Sequence, residues 1–288
     1  MNTDSHTPYE EKVPMKVKLS YGCGDIFAGG SFLLVALMFM YFLTDIVGLS
    51  PTLAGMVVLA GKIWDAISDP LMGTISDRTR SRFGRRRIYF LLGIFPIFFS
   101  FSGLWFSFDF TSQMATFCYY LVFYLLFSTA FTLVQIPYVA LMPEITPSFN
   151  ERASVSGIRL IFSSVSAIIA GVVPMIIIKM FPAVEGEALS KTGYMAMGLV
   201  FGVFYALPWI VVFLGTKERP LGAVDSGGVS NPFRELPSIL KNKSFQHHAG
   251  LFIGSQTAAD FLAALFLYYI TSVLNKQPYY SSIMAALL

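Results

Sequence analysis

The chain has 288 residues, of which 55% are hydrophobic and only 13% are charged, and its mean hydropathy is +0.64. A soluble domain of this length would need far more polar surface, so the composition excludes an ordinary soluble protein and predicts a polytopic membrane protein. The net charge is +3, but the basic residues lie where membrane topology needs them. We therefore expect a lipid bilayer and no nucleic acid as partner.

The predicted elements begin after a polar segment, residues 1–19, which lacks an apolar core and predicts a cytoplasmic N-terminal segment without a cleavable signal peptide. Seven apolar runs then reach the length that crosses about 30 Å of hydrocarbon. They cover residues 22–46, 52–75, 88–107, 114–140, 154–180, 194–214 and 249–274. An eighth run begins near Tyr279 and is cut off at Leu288, after roughly half of a span.

The runs predict an all-α polytopic fold, truncated after about seven and a half spans. Residues 20–214 form a six-helix bundle, residues 215–248 a cytoplasmic linker containing LGAVDSGGVSNP, and residues 249–288 the start of a second bundle. YFLTDIV at 41–47 aligns with YYITSVL at 268–274, an offset of 227 residues. We expect the seventh helix to restart a second half, as in carriers built from two parallel repeats.

Orientation follows from the lysines and arginines outside the spans. Alternate connections place 15 of them on one side and three on the other, the three being Lys179, Lys191 and Lys276. Because the basic side of a membrane protein faces the cytoplasm, we expect a cytoplasmic N-terminus in the inner membrane.

The segment KIWDAISDP, residues 62–70, places charges inside the second span. At 100° per residue, Lys62, Asp65 and Asp69 share one stripe of a helix. Each charge at the bilayer centre costs about 2.5 to 3.5 kcal/mol on insertion scales, so the stripe must face partners, water or an ion. An ion pathway is the hypothesis that follows.

Two carboxylates one turn apart do not both stay ionised without compensation. A proton, a sodium ion or a cationic side chain resolves the repulsion, and the candidate side chains are Lys62, one turn from Asp65, and Arg159 on the fifth span. The alternative is a static salt-bridge network that only locks helices together.

Two roles are possible for the other polar residues within the spans. Asp25, Gln135 and Asp260 either hydrogen-bond the hydroxyls of a solute or join neighbouring helices. The glycines of the first span favour close helix packing: Gly22, Gly24, Gly29 and Gly30.

The loop GTISDRTRSRFGRRR, residues 73–87, resembles the cytoplasmic signature loop between helices two and three of the major facilitator superfamily, with extra residues before Gly84. In that family the charged pairs of the loop latch the cytoplasmic side. The resemblance therefore implies a cytoplasmic gate made of Asp77, Arg78, Arg85 and Arg86.

A closer resemblance extends over essentially the whole chain. KLSYGCGD, YFLTDIVGLS, KIWDAISDP, RSRFGRRR and IPYVALMPEI are together similar to the glycoside-pentoside-hexuronide:cation symporters, the group that includes melibiose permease. The resemblance implies a major facilitator-type helical bundle that imports a glycoside, pentoside or hexuronide with Na⁺ or H⁺ by alternating access. It assigns the coupling cation to Asp65 and Asp69, with Ser68 and Thr132 nearby, and places Arg159 beside the sugar.

The sugar side of the pattern departs from melibiose permease. Ala28 and Gly29 replace its Lys-Asp pair, Gln135 replaces its helix-four aspartate, and Val139 replaces the aromatic residue that stacks on sugar. Galactoside specificity is therefore not carried over. The residues expected to contact substrate are Asp25, Gln135, Arg159, Trp64 and Tyr138.

The sequence leaves three rival functions. An exporter of drugs or lipids would share the fold but have less reason to keep three charges on its second helix. A seven-helix receptor needs its N-terminus outside, against the charge bias. The third is an inactive truncated fragment. We expect no enzyme activity, no cofactor beyond the coupling ion and, for a full-length carrier, a monomer.

Overall fold

The computed structural model describes residues 12–146, 148–183, 189–218, 241–274, 279 and 280. Its α-helices are α1 (Met15–Gly22), α2 (Asp25–Tyr41), α3 (Pro51–Arg78), α4 (Arg87–Gly103), α5 (Gln113–Ile145), α6 (Phe149–Lys179), α7 (Lys191–Ala206), α8 (Pro208–Gly215) and α9 (Lys243–Tyr268). Single π-helical turns, Phe42–Ile46 and Tyr269–Val273, extend α2 and α9. No strand occurs within the described ranges.

The helices coincide with the seven apolar runs of the sequence. Five segments are long and apolar enough to cross a membrane, and they are Met15–Ile46, Gln113–Ile145, Phe149–Lys179, Lys191–Gly215 and Lys243–Tyr268. The 17 residues of α4 are apolar but shorter, and the 28 residues of α3 carry the charged stripe. The prediction of an all-helical, multi-pass membrane protein is confirmed. The predicted eighth span lies almost entirely outside the described residues.

Serine side chains explain where four of the helices begin. The hydroxyl oxygens of Ser50, Ser112, Ser148 and Ser190 each accept a hydrogen bond from the backbone N–H three residues later, at 3.1 to 3.4 Å. Such a cap satisfies one of the donors left free in a first helical turn and contributes about 1 kcal/mol.

Helix α2 packs closely on α6, α3 and α4 both pack on α5, and α9 lies against α2. A Cβ atom at Gly29 would lie 2.7 Å from the Cα atom of Ser163, which no real side chain tolerates. Glycine at this position therefore allows α2 and α6 to approach as the sequence predicts. Large apolar side chains such as Phe95, Leu126 and Ile161 remain exposed on the outer faces, as a lipid environment requires.

The two π-helical turns occur 227 residues apart, the offset at which the sequence aligns with itself. Each ends in the same wide hydrogen bond, from Val47 N–H to Phe42 O and from Leu274 N–H to Tyr269 O, both 3.0 Å long. Tyr41 and Tyr268, which are equivalent at this offset, contact each other with ring centroids 5.4 Å apart. Contact between equivalent residues is the pattern expected beside a two-fold axis. The domain boundaries themselves stay a prediction, because residues 219–240 of the linker lie outside the described part.

Candidate functional site

A cavity of about 840 Å³ lies between α2, α3, α5 and α9. Its walls are mostly apolar and include the aromatic rings of Phe32, Phe39, Tyr124, Phe131 and Phe261. Four charged side chains also line it, and these are Lys62, Asp65, Asp69 and Asp260. An apolar cavity of this size with a few convergent polar groups is the usual form of a small-molecule site.

The charged stripe of α3 faces this cavity. Lys62, Asp65 and Asp69 all line it, as their helical spacing predicts. The stripe thus avoids the lipid-facing side of the helix, where its desolvation would be most costly.

Hydroxyl groups of α5 hold both carboxylates of the stripe. The Thr132 hydroxyl donates to the Asp69 carboxylate at 2.7 Å, and Ser68 Oγ lies 3.3 Å from Thr132 Oγ1. Ser128, one turn earlier on α5, donates to Asp65. Sequence reasoning missed Ser128, although its spacing from Thr132 on α5 equals the spacing of Asp65 from Asp69 on α3.

Lys62, one of the two candidate partners of the α3 carboxylates, forms its ion pair elsewhere. Its Nζ atom lies 3.4 Å from the Asp260 carboxylate on α9, although Asp65 is one turn away on its own helix. Gln256 donates to the other oxygen of Asp260 at 3.0 Å. The pair therefore joins the second and seventh spans across the cavity.

Asp25 and Arg159 pair with each other. Arg159 donates two hydrogen bonds to the Asp25 carboxylate, at 2.6 and 3.1 Å, and its guanidinium lies 4.8 Å from the centroid of the Tyr138 ring. Both were predicted to contact the sugar, but neither lines the cavity, and Asp25 is only 6% exposed. Arg159 also does not reach the carboxylates of α3; its ion pair is with Asp25.

The remaining predicted sugar contacts also lie outside the cavity. Tyr138 is fully buried, with its ring stacked on Tyr21 at 4.3 Å between centroids. The Trp64 indole N–H donates to the Thr129 hydroxyl at 2.8 Å on the outside of the α3 and α5 pair. Gln135 Oε1 is buried and accepts no hydrogen bond within the described part of the chain. In this conformation, therefore, none of the three offers a surface to a molecule in the cavity.

The arginine-rich loop forms an ion-pair cluster at one end of the bundle. Arg86 contacts Asp77 at 2.8 Å, and Arg85 and Arg86 both contact the buried Glu144 carboxylate, at 2.6 and 2.8 Å. Burial by itself lowers the pKa of Arg86, but the Asp77 and Glu144 carboxylates outweigh it and hold that pKa above its ordinary value. Arg78 is exposed and makes no ion pair with any described residue.

A second carboxylate, Glu218 just after α8, binds the start of α4. It accepts the backbone N–H groups of Arg85, Arg86 and Arg87 at 2.6 to 2.8 Å, following the turn made by Gly84 at φ +108°. A helix N-terminus with free N–H groups is a natural site for a carboxylate. Sequence reasoning missed Glu144 and Glu218, although both stand at span ends on the side rich in arginine.

The described residues contain no group of three or more His, Cys, Asp or Glu side chains that could hold a metal ion. The oxygen donors around the α3 stripe are instead two carboxylates with the hydroxyls of Ser68, Ser128 and Thr132. Hard oxygen donors of this kind suit a proton or a hard cation better than a soft transition metal.

Comparisons with known proteins identify the family of the chain. Residues 20–288 match the model of the family described as MFS/sugar transport protein. The chain is 35% identical over 214 residues to an uncharacterised symporter of Synechocystis sp., covering 73% of this chain and 39% of that protein. It is 31% identical over 239 residues to a putative glycoside/cation symporter of Escherichia coli, covering 82% of this chain and 50% of that protein. An isoprimeverose transporter of Lactiplantibacillus pentosus is 29% identical over 211 residues, which cover 73% of this chain and 43% of the transporter.

Proposed function

Because the chain belongs to the MFS/sugar transport protein family of the major facilitator superfamily, whose members are transporters and not enzymes, we propose that it serves cation-coupled uptake of a sugar. The finer substrate class is a glycoside, pentoside or hexuronide, and the coupling ion is Na⁺ or H⁺. Relatives whose names include a glycoside/cation symporter and an isoprimeverose transporter support this proposal.

The chain spans about half the length of the curated relatives it matches. Alternating access requires walls on both sides of the substrate cavity. We expect one wall to come from this chain and the opposite wall from the second half of the carrier. The 227-residue offset between equivalent helices supports a repeat of this size.

The proposed coupling site consists of Asp65 and Asp69 with Ser68 and Thr132. The observation that carries it is the pair of adjacent carboxylates, each held by a hydroxyl of α5, on the wall of the aromatic cavity. A proton or sodium ion between them removes their repulsion and stabilises the arrangement of α3 and α5 that accepts sugar. By linkage, bound sugar then raises the affinity for the ion by the same factor.

The contacts to sugar in this proposal come from the cavity walls. The aromatic rings offer apolar faces to the C–H side of a sugar ring, and the carboxylates of Asp65, Asp69 and Asp260 accept from its hydroxyl groups. Asp25 and Arg159 serve as a buried pair that joins α2 to α6.

The latch is proposed to lie at the cytoplasmic end. Asp77, Arg85 and Arg86 with Glu144 connect the ends of α3, α4 and α5 on the side that carries most of the basic residues. The charge bias supports a cytoplasmic N-terminus and a location in the inner membrane.

The test of this function is sugar binding to the purified chain in lipid nanodiscs, measured by calorimetry in sodium-free buffer, in sodium buffer and over a range of pH. We expect the affinity to rise at least tenfold with sodium or with protons. The Asp65→Asn and Asp69→Asn double variant should lose this dependence, whereas Asp109→Asn, an exposed carboxylate outside the bundle, should keep it. Sugar affinity that is indifferent to both ions in the unmodified chain would contradict the proposal.

A further inference from the structure

The charges around the cavity do not balance. Three carboxylates line it, those of Asp65, Asp69 and Asp260, against one ammonium group, that of Lys62. Among the described lining residues this leaves an excess of two negative charges in an apolar environment. One bound cation removes only one of them.

The single ammonium group is already compensated. Lys62 Nζ lies 3.4 Å from the Asp260 carboxylate, and Gln256 fixes the other oxygen of that carboxylate at 3.0 Å. A negatively charged solute that approached Lys62 would therefore also meet the Asp260 carboxylate, which repels it.

Arg159 on α6, a partly buried cation on a helix packed against α2, is also compensated. Arg159 makes two hydrogen bonds to Asp25, and it is not among the residues that line the cavity. Recognition of a carboxylate or sulfonate usually relies on an arginine whose paired N–H groups face the ligand. The described walls offer no such group to an anion.

The same walls do offer contacts to an uncharged sugar. Their hydroxyl groups donate hydrogen bonds to carboxylates, and their C–H faces pack on aromatic rings such as Phe32, Phe131 and Phe261. The side-chain amide of Gln256 and the hydroxyl of Thr257 add further polar contacts on the α9 side.

We propose that this cavity accepts uncharged glycosides and rejects uronides and other anionic sugars, with Asp260 enforcing the choice by holding Lys62 and keeping the cavity negative. This proposal rests on the function proposed above, because it narrows the substrate class of the same site. Of the three substrate classes named there, the cavity would accept glycosides and pentosides and exclude hexuronides.

The experiment compares pairs of sugars that differ only at C6, where the uronide carries a carboxylate in place of the hydroxymethyl group of the glycoside. Binding of methyl β-D-glucoside, methyl β-D-galactoside and their two uronides to the full chain in nanodiscs is measured by calorimetry in sodium buffer at pH 7. We expect at least one glycoside to bind ten times more tightly than its uronide. A uronide that binds as tightly as its glycoside overturns this inference and leaves the proposed function standing. Binding of none of the four overturns the proposed function, and this inference with it.

Asp260→Asn provides a second test that does not depend on absolute affinity. Removing this carboxylate lowers the negative excess and frees Lys62, so the preference for glycoside over uronide should shrink at least fivefold. Adding Lys62→Gln to Asp260→Asn should restore the preference, and Asp260→Glu should keep it. A preference that Asp260→Asn leaves unchanged, in protein whose thermal unfolding is also unchanged, would overturn the role given to Asp260.

Discussion

Single hydrogen bonds decide how the carboxylates of α3 are presented to the cavity. Thr132 donates to Asp69, and Ser128 donates to Asp65, so each carboxylate keeps an oxygen for a bound ion. A carboxylate that is already oriented needs less reordering when the ion arrives, which raises affinity.

We expect Thr132→Val to weaken the apparent affinity for the coupling ion about tenfold, because the isosteric side chain removes the donor that orients Asp69. Thr132→Ser keeps the hydroxyl and should bind the ion nearly as well as the unmodified chain. Thr129→Val, on the exposed side of α5, is the matched control. The measurement is the sodium and pH dependence of sugar binding, and equal dependence in the Thr132→Val and Thr129→Val proteins would rule out the orienting role.

The Asp25 and Arg159 pair makes a different prediction, about stability. Arg159→Met leaves the carboxylate of Asp25, which is 6% exposed, without its partner, and such a loss costs about 3 to 5 kcal/mol. Lys191→Met breaks an exposed pair with Asp109, which contributes at most about 1 kcal/mol. Thermal unfolding in detergent, followed by circular dichroism, should separate the two variants clearly. Equal unfolding temperatures would show that the buried pair contributes little.

At the scale of the helices, close approach of α2 and α6 determines where the first span lies. The approach depends on glycine, because a Cβ atom at Gly29 would meet the backbone of Ser163. At Gly157 on α6, by contrast, an added Cβ atom would contact nothing within 4 Å.

The same substitution at these two glycines should therefore act in opposite directions. Gly157→Ala should leave stability unchanged or raise it by up to about 1 kcal/mol, because alanine has the higher helix propensity. Gly29→Ala should lower stability by about 1 to 3 kcal/mol, since the overlap forces the two helices apart. Thermal unfolding of both variants tests the pair, and a stabilised Gly29→Ala protein would disprove the close contact.

For the whole molecule, the predicted repeat and the distribution of charge account for the architecture. The paired π-helical turns and the contact between Tyr41 and Tyr268 bring α2 and α9 beside each other, as expected if these helices are equivalent members of two halves. Arg85 and Arg86, with the Glu144 and Glu218 carboxylates that they contact, gather at one end of the bundle.

The orientation predicts which ends react with an impermeant thiol reagent in intact cells. With the native cysteines replaced by Cys23→Ser and Cys118→Ser, a Thr111→Cys protein should be labelled from outside. An Arg80→Cys protein should be labelled only after the cells are opened, because the proposed orientation puts the loop that contains it in the cytoplasm. Labelling in the reverse pattern would show that the orientation in the membrane is the opposite of the proposed one.

The sequence alone determined the parts of this protein that depend on local pattern. Apolar runs of span length predict the helices, and a 100° rotation per residue places Lys62, Asp65 and Asp69 on one face. Each of these follows from residues within a few turns of one another. Together with the motif around Asp65, they were enough to identify the fold and the family.

Only the tertiary structure decided which side chains pair with each other. Lys62 pairs with Asp260, almost 200 residues away, although Asp65 stands one turn from it. Arg159 pairs with Asp25, and Tyr138 is buried against Tyr21, so these three residues, which the sequence analysis expected to contact the sugar, lie outside the cavity. The physical reason is that a long charged or aromatic side chain can reach several neighbours of similar attraction, and the packing of helices distant in sequence selects which neighbour lies within reach.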